Sequence, residues 1–250
     1  MKFIFFKYIK KTILKTKNFY RKIYSYPILK YGKNHINEYW QTRKVNYEEI
    51  KPNDFQIERA KLFNLFIDQK NATLLDIGSG DGAQLIAINK ICSNIKIIGS
   101  DKDKFASDIM KKSKFKFHCI NEKNSISNLI KNYCPTYVSL FEVIEHMYSP
   151  EELVLELLNN INIKKIFISV PNTGFFINRI RLLTGRFPLQ WIAAPNEHIR
   201  FWTLKDLNWW LKYLNLESKS TIVPYKGIPI LNKFLPNLFA EGSFIIINNN

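Results

Sequence analysis

Cysteine is too scarce here for a disulfide scaffold. Cys92, Cys119 and Cys134 lie far apart and form no CxxC pair, which argues against a disulfide framework and a thiolate zinc site and fits a reducing cytoplasm. Glycine and proline are also sparse, at 9 and 10 of 250 residues, so collagen-like and proline-rich architectures are excluded. No internal repeat is present. Long apolar runs are missing from the N-terminal region, where the longest, Phe3 to Phe6, has four residues. A signal peptide needs roughly 7–15 and a membrane span about 20. Acid is absent from that same region: residues 1–35 hold ten Lys/Arg and no Asp or Glu. The formal net charge of +16 is therefore concentrated in a basic extension.

What is present is the composition of a globular protein, 46% hydrophobic and 23% charged, long enough for one large α/β domain. We read residues 1–35 as a basic amphipathic extension and 36–250 as one domain. In the extension Phe6, Ile9, Ile13, Tyr20, Ile23 and Tyr24 recur at helical spacing among lysines. Three readings stand: residues 1–26 resting peripherally on an anionic membrane surface, a helix packed on the domain with a solvated lysine face, and an RNA-contacting arm.

The pattern after residue 50 alternates helical and strand periods. A helix is expected over about Phe55–Ile67, capped by Asn53 or Asp54. Strands are expected at Ala72–Ile77, Ile95–Gly99, Phe115–Ile120, Tyr137–Val143 and Lys165–Val170, with a helix at Ala83–Cys92. Ser149-Pro150-Glu151-Glu152 reads as a helix start with a serine cap and capping box, and Thr203 with Asp206 as a second. Two late strands, near Ser220–Val223 and Ser243–Asn248, close the chain. Such alternation implies an α/β, mostly parallel, doubly wound sheet.

Leu74-Leu75-Asp76-Ile77-Gly78-Ser79-Gly80-Asp81-Gly82 sits where the first strand turns into a helix. Glycine there permits a tight turn and close backbone approach to a ligand. The glycines alone also suit a dinucleotide, but a carboxylate at Asp76 would repel a pyrophosphate. It would favour the cationic sulfonium and ammonium of S-adenosylmethionine (SAM). Asp101, followed by Lys102, ends the second strand, where an acid can accept hydrogen bonds from ribose hydroxyls. Asn121 and Glu122 follow the third strand.

At the end of the fourth strand stands Glu142-Val143-Ile144-Glu145-His146. On a helical turn, positions i, i+3 and i+4 share a face, so Glu142, Glu145 and His146 would converge beside the methyl donor. His198 arrives later, before Trp202-Thr203. The set suits a divalent ion such as Mg²⁺ or Mn²⁺. His146 as a metal-free general base and plain helix-start packing are the alternatives.

The loop at 74–82 resembles the first motif of the class I SAM-dependent methyltransferases, and the order of elements matches that fold from residue 54 onward. The resemblance implies a Rossmann-like, seven-stranded form of the sheet with an antiparallel last strand. It also implies a cofactor site built from Asp76, Gly78, Ser79, Gly80, Asp81, Asp101, Lys102, Asn121 and Glu142. The strand before Tyr137 departs from the family in starting Pro135-Thr136. The Glu-Val-Ile-Glu-His run is similar to that of ubiquinone-biosynthesis O-methyltransferases. With His198 it also resembles the small-RNA 2′-O-methyltransferases, which implies a metal held by Glu142, Glu145, His146 and His198. The insert at about 173–200, with Arg179, Arg181 and Arg186, resembles MetW-like methyltransferases of surface-glycan gene clusters. That implies polysaccharide biosynthesis, a small-molecule or glycan acceptor and arginines able to clamp its anionic groups. RNA and a non-catalytic, SAM-binding role stand as alternatives.

Overall fold

Leu74, Leu75 and Ile77 on one strand, and Ile166, Phe167, Ile168 and Val170 on another, are apolar at successive positions and fully or nearly fully buried. Strands of that kind need cover on both faces, and the computed structural model supplies it. The structure describes residues 19–26, 50–69, 71–111, 113–190 and 197–249. Seven strands run β1 (Thr73–Ile77), β2 (Lys96–Asp101), β3 (Lys116–Cys119), β4 (Tyr137–Phe141), β5 (Lys165–Pro171), β6 (Ser220–Tyr225) and β7 (Gly242–Asn248). Their spatial order is β3-β2-β1-β4-β5-β7-β6. The β1–β2, β1–β4, β2–β3 and β4–β5 ladders are parallel, whereas β7 lies antiparallel between β5 and β6. The expected sheet is the sheet observed.

Alternate residues of each strand feed opposite cores, as the two-residue period requires. Leu74, Tyr137, Phe167 and Ile246 pack with Ala60, Phe63, Leu85 and Ile88, from α1 (Asp54–Phe66) and α2 (Ala83–Ile91). Their neighbours Leu75, Val138, Ile166 and Ile245 pack on the other face with Leu153, Leu157, Leu207 and Trp210. Between β2 and β4 lie α3 (Lys104–Met110) and α4 (Ile126–Tyr133). Beyond β4 come α5 (Pro150–Leu158), α6 (Phe176–Leu183) and α7 (Leu204–Tyr213). Two short helices, α8 (Leu231–Phe234) and α9 (Pro236–Phe239), precede β7.

The caps at Asn53 and Thr203 form as their sequences suggest, each a reciprocal capping box. The one expected at Ser149 does not: its side chain makes no cap hydrogen bond, and Pro150 at the first position starts α5 with no amide to satisfy. Helices α3, α4 and α6 were not legible as helices, being only seven or eight residues long and too short for a clear 3.6-residue period. Among the described residues no helix is long and apolar enough to cross a membrane. Of the basic extension, residues 1–18 and 27–35 lie outside the described residues. Residues 19–24 are helical and bury Ile23.

Candidate active site

The glycine loop and the segment after β4 are packed into one another. The amides of Gly78 and Ser79 both donate to the Ser100 carbonyl, at 2.8 and 2.9 Å, which ties the loop across the ends of β1 and β2. Gly78 has φ +79°, and a Cβ there would lie 2.4 Å from Val143 Cγ2. Only glycine fits that position, because the backbone is left-handed and Val143 occupies the space. The sequence thus brings its two motifs to one place, at the carboxyl ends of the parallel strands.

Asp76 is buried at the head of this loop. Its carboxylate accepts the hydroxyl of Ser139 from β4, while its carbonyl accepts the hydroxyls of Ser79 and Ser100 at 3.0 and 3.1 Å. Burial raises its pKa to about 6, against the pull of Ser139, Ser79 and Arg59, so it is mainly ionised at neutral pH. Asp101 accepts the amides of Gly80 and Asp103, each at 2.8 Å, and burial raises it too. Asp81 accepts the Ala83 amide at 3.0 Å at the start of α2. Lys102 and Asn121 are exposed, and the Asn121 carboxamide oxygen closes a local turn on the amides of Lys123 and Asn124.

Glu142 departs from expectation. It follows the last residue of β4 with φ +56°, and only Ile144–His146 form a 3-10 turn. Glu142 therefore stands outside the turn instead of sharing a face with Glu145 and His146. Its Oε1 accepts Ser169 Oγ at 2.8 Å and Tyr225 Oη at 3.4 Å, and pairs with Arg59 Nη1 at 3.0 Å. Arg59 is itself buried, donating Nε to Gln84 at 2.9 Å. Arg59, Ser139, Ser169 and Tyr225 were not singled out from the sequence. The available signals were an arginine on the apolar face of α1 and single serines inside the apolar runs of β4 and β5.

Glu145, His146 and His198 do come together. Their ligand atoms lie within 4.8 Å of one another, because the amides of Ile199 and Arg200 donate to the Glu145 carbonyl at 2.9 and 3.1 Å and bring His198 with them. The imidazoles of His146 and His198 meet edge to face at 4.6 Å. His146 Nδ1 lies 3.0 Å from the Glu197 carbonyl. A carbonyl only accepts, so Nδ1 carries the proton and Nε2 keeps its lone pair. Burial lowers the pKa of His146, and burial followed by the neighbouring His146 pushes His198 down to about 4. Both are neutral at pH 7. Glu145 is 1% exposed, and neither carboxyl oxygen has a hydrogen-bond partner. Burial, then the charge of Glu142, holds it well above the carboxylate range. A buried carboxyl without a partner costs free energy unless something else satisfies it. With two neutral imidazoles beside it, Glu145 belongs to a group of three residues that could hold a divalent cation, without Glu142.

The three arginines of the insert all donate to backbone carbonyls of the protein itself. Arg181 is buried, its guanidinium donating to the carbonyls of Lys22, Ile23, Ser25 and Phe187 at 2.6–3.1 Å. Arg186 donates to the Tyr24 carbonyl at 2.8 Å and lies over the Tyr26 ring at 4.1 Å. Arg179 Nε donates to Gly174 at 2.7 Å. Arg181 and Arg186 fasten the N-terminal helical segment to α6, and Arg179 holds the start of α6.

A protein family described as "Methyltransferase domain" matches residues 49–220. No curated protein matches the sequence significantly. Among solved structures, the chain is similar to the plantazolicin methyltransferase BpumL in complex with SAH. That match has a TM-score of 0.54 at 17% identity, over 87% of this chain and 90% of that one. It is similar to the methyltransferase domain of bacterial CtHen1, with a TM-score of 0.50 at 16% identity over 78% of this chain and all of that one. It is also similar to a SAM-dependent methyltransferase from Anabaena variabilis, with a TM-score of 0.52 at 15% identity over 91% and 98%.

Proposed function

This chain belongs to the methyltransferase-domain family, and from that premise we propose that it moves the methyl group of SAM to a hydroxyl oxygen, aided by a divalent cation on Glu145, His146 and His198. The observation that carries the oxygen acceptor is the buried, unpartnered Glu145 carboxyl beside two neutral imidazoles. The residues of the glycine loop fit SAM. Gly78 lets the loop turn tightly against Val143 at the strand ends, Asp76 supplies an ionised carboxylate for a cation, and Asp101 ends β2 where ribose hydroxyls would lie. BpumL was crystallised with SAH, the product left when SAM gives up its methyl group.

When bound, SAM supplies an electrophilic methyl carbon on a cationic sulfur. The protein must then align the acceptor oxygen, exclude water and expose a lone pair. The Gly78–Val143 contact fixes the loop against the turn that carries Glu145 and His146, so donor and acceptor sides are held by one rigid junction. The Glu197 carbonyl fixes the His146 ring and aims Nε2 as the free nitrogen, able to bind an ion or take a proton. Glu145 and the two histidines would hold the cation, which there supplies Lewis acidity to the acceptor oxygen. Two imidazoles beside one carboxylate favour Mn²⁺ over Mg²⁺, because Mn²⁺ accepts nitrogen ligands more readily. We place the acceptor among sugars, sugar nucleotides and surface-glycan precursors on the cytoplasmic side, a reading supported by the resemblance of the insert to MetW-like sequences. An RNA 2′-hydroxyl is the second reading, favoured by the run from Glu142 to His146 with His198.

Transfer of labelled methyl from SAM into fractionated extract, with and without a chelator, tests this. Label in the sugar-nucleotide or lipid-linked glycan fraction, lost with chelator and restored by Mn²⁺, is the expected result. Full labelling in chelator, together with an active Glu145→Gln enzyme, would remove the metal. Label in small RNA would select the second acceptor, and SAM binding without any labelled product would leave a non-catalytic partner protein.

A further inference from the structure

Three segments far apart in sequence meet around residues 19–26. Phe19 stacks on Phe176 of α6 with ring centroids 6.5 Å apart, and Phe176 meets Phe239 of α9 at 5.8 Å. A cavity of about 450 Å³ lies between them, lined by Phe19, Lys22, Phe176, Ile228 and Glu241 among others. Large apolar side chains stand out into solvent along all three segments. Tyr20 is 64% exposed, Leu183 at the end of α6 is 86% exposed, and Ile230 and Phe234 beside α8 are 68% and 77% exposed. Single exposed apolar residues need no explanation, but several of them on segments that meet one another, among basic side chains, mark an interaction face.

The charge has one sign. Residues 19–26 contain Arg21 and Lys22, residues 175–190 contain three arginines, and residues 226–240 contain Lys226 and Lys233. None of the three stretches contains Asp or Glu. Arg181 is buried and used internally, Arg179 and Arg186 each also donate to a backbone carbonyl, and Lys226 pairs with Asp54 at 3.7 Å. Asp54 and Glu241, the latter in the cavity wall, are acids beside these stretches. We propose that this face docks on an anionic membrane surface. Basic side chains attract the headgroups, and the aliphatic and aromatic tips enter the boundary region beneath them. The tips of Leu183 and Ile230 offer nothing to a base or a phosphate but can enter a lipid boundary, so lipid suits this face better than nucleic acid. The clamp of Arg181 on the carbonyls of Lys22, Ile23 and Ser25 makes the face rigid before it meets the membrane.

The test is co-sedimentation of the full chain with two kinds of vesicle: phosphatidylcholine alone, and equal parts phosphatidylcholine and phosphatidylglycerol. Binding is expected to the anionic vesicles only and to weaken with salt. The double variant Leu183→Ser/Phe234→Ser changes two exposed side chains, and its melting temperature should match the parent. Its affinity for anionic vesicles should fall by roughly tenfold or more, since each tip loses its apolar burial. Failure of the full chain to bind anionic vesicles would overturn the proposal. So would undiminished binding by the double variant, which would move the contact to residues outside this face. Retention of the chain by RNA but not by vesicles would assign the basic face to RNA instead.

Discussion

Burial raises the Asp76 carboxyl to about 6 from an ordinary 3.8. Between those values the folded state binds more protons at this position than the unfolded chain does, so its contribution to stability falls as pH rises through the window. Above it the cost approaches about 3 kcal/mol. Asp76→Asn keeps the shape and can still accept the Ser139 hydroxyl. We expect its melting temperature to exceed the parent's at pH 7.5, with the gap shrinking towards pH 4.5, in calorimetric scans at both. SAM affinity should move the other way, falling by about tenfold once the anion is gone; titration calorimetry reads it. No gain in melting temperature at pH 7.5 would mean that the carboxyl keeps an ordinary pKa. Gly78→Ala meets two separate costs, a left-handed backbone worth about 1–2 kcal/mol and the overlap with Val143. Urea unfolding of Gly78→Ala and of Gly78→Ala/Val143→Ala should show the second substitution recovering only part of the loss. The loop residues announced themselves because local geometry demanded them. Arg59 and Tyr225 did not, because their partnership spans 166 positions and leaves no local pattern.

Helix ends show how far local rules reach. At Thr203 the side chain accepts the Asp206 amide and Asp206 accepts the Thr203 amide, as the spacing of the two residues suggests. At Ser149 the same kind of sequence gives no side-chain cap. Thr203→Ala should therefore cost about 1 kcal/mol, whereas Ser149→Ala should stay within about 0.5 kcal/mol. Chemical denaturation of the two variants side by side checks the difference, and equal losses would contradict the geometry. The same limit governs the site. The mostly parallel, doubly wound sheet follows from periodicity and connection rules. The antiparallel β7 is expected from the family resemblance, whereas the strand order is not read from the sequence. The turn after β4 does not follow from such rules, because the helical face read from Glu142, Glu145 and His146 fails once Glu142 takes φ +56°. Arg59, Ser169 and Tyr225 hold Glu142 in that conformation, and they come from α1, β5 and β6, three elements that only the finished fold places together.

At the scale of the whole molecule, the two cores and the junction of loop and turn are built from residues 50–249, while residues 19–26 attach to α6 from outside. The attachment uses Ile23, 5% exposed, and the guanidinium of Arg181, which meets three carbonyls of that segment. Removing residues 1–26 would take away the burial of Ile23 and three of the four backbone carbonyls that Arg181 holds, leaving its guanidinium to water on that side. The shortened chain should still fold, because its sheet is complete, but should melt several degrees lower. SAM affinity should stay within about twofold of the parent, because sites that share no partners behave independently. Melting curves and SAM titrations of the full chain and the deletion decide the matter. Stability lost with affinity kept makes residues 19–26 an attachment to a self-sufficient methyltransferase domain. Affinity lost along with stability would make the segment a working wall of the cofactor site, coupled through α6 to the junction of Gly78 and Val143.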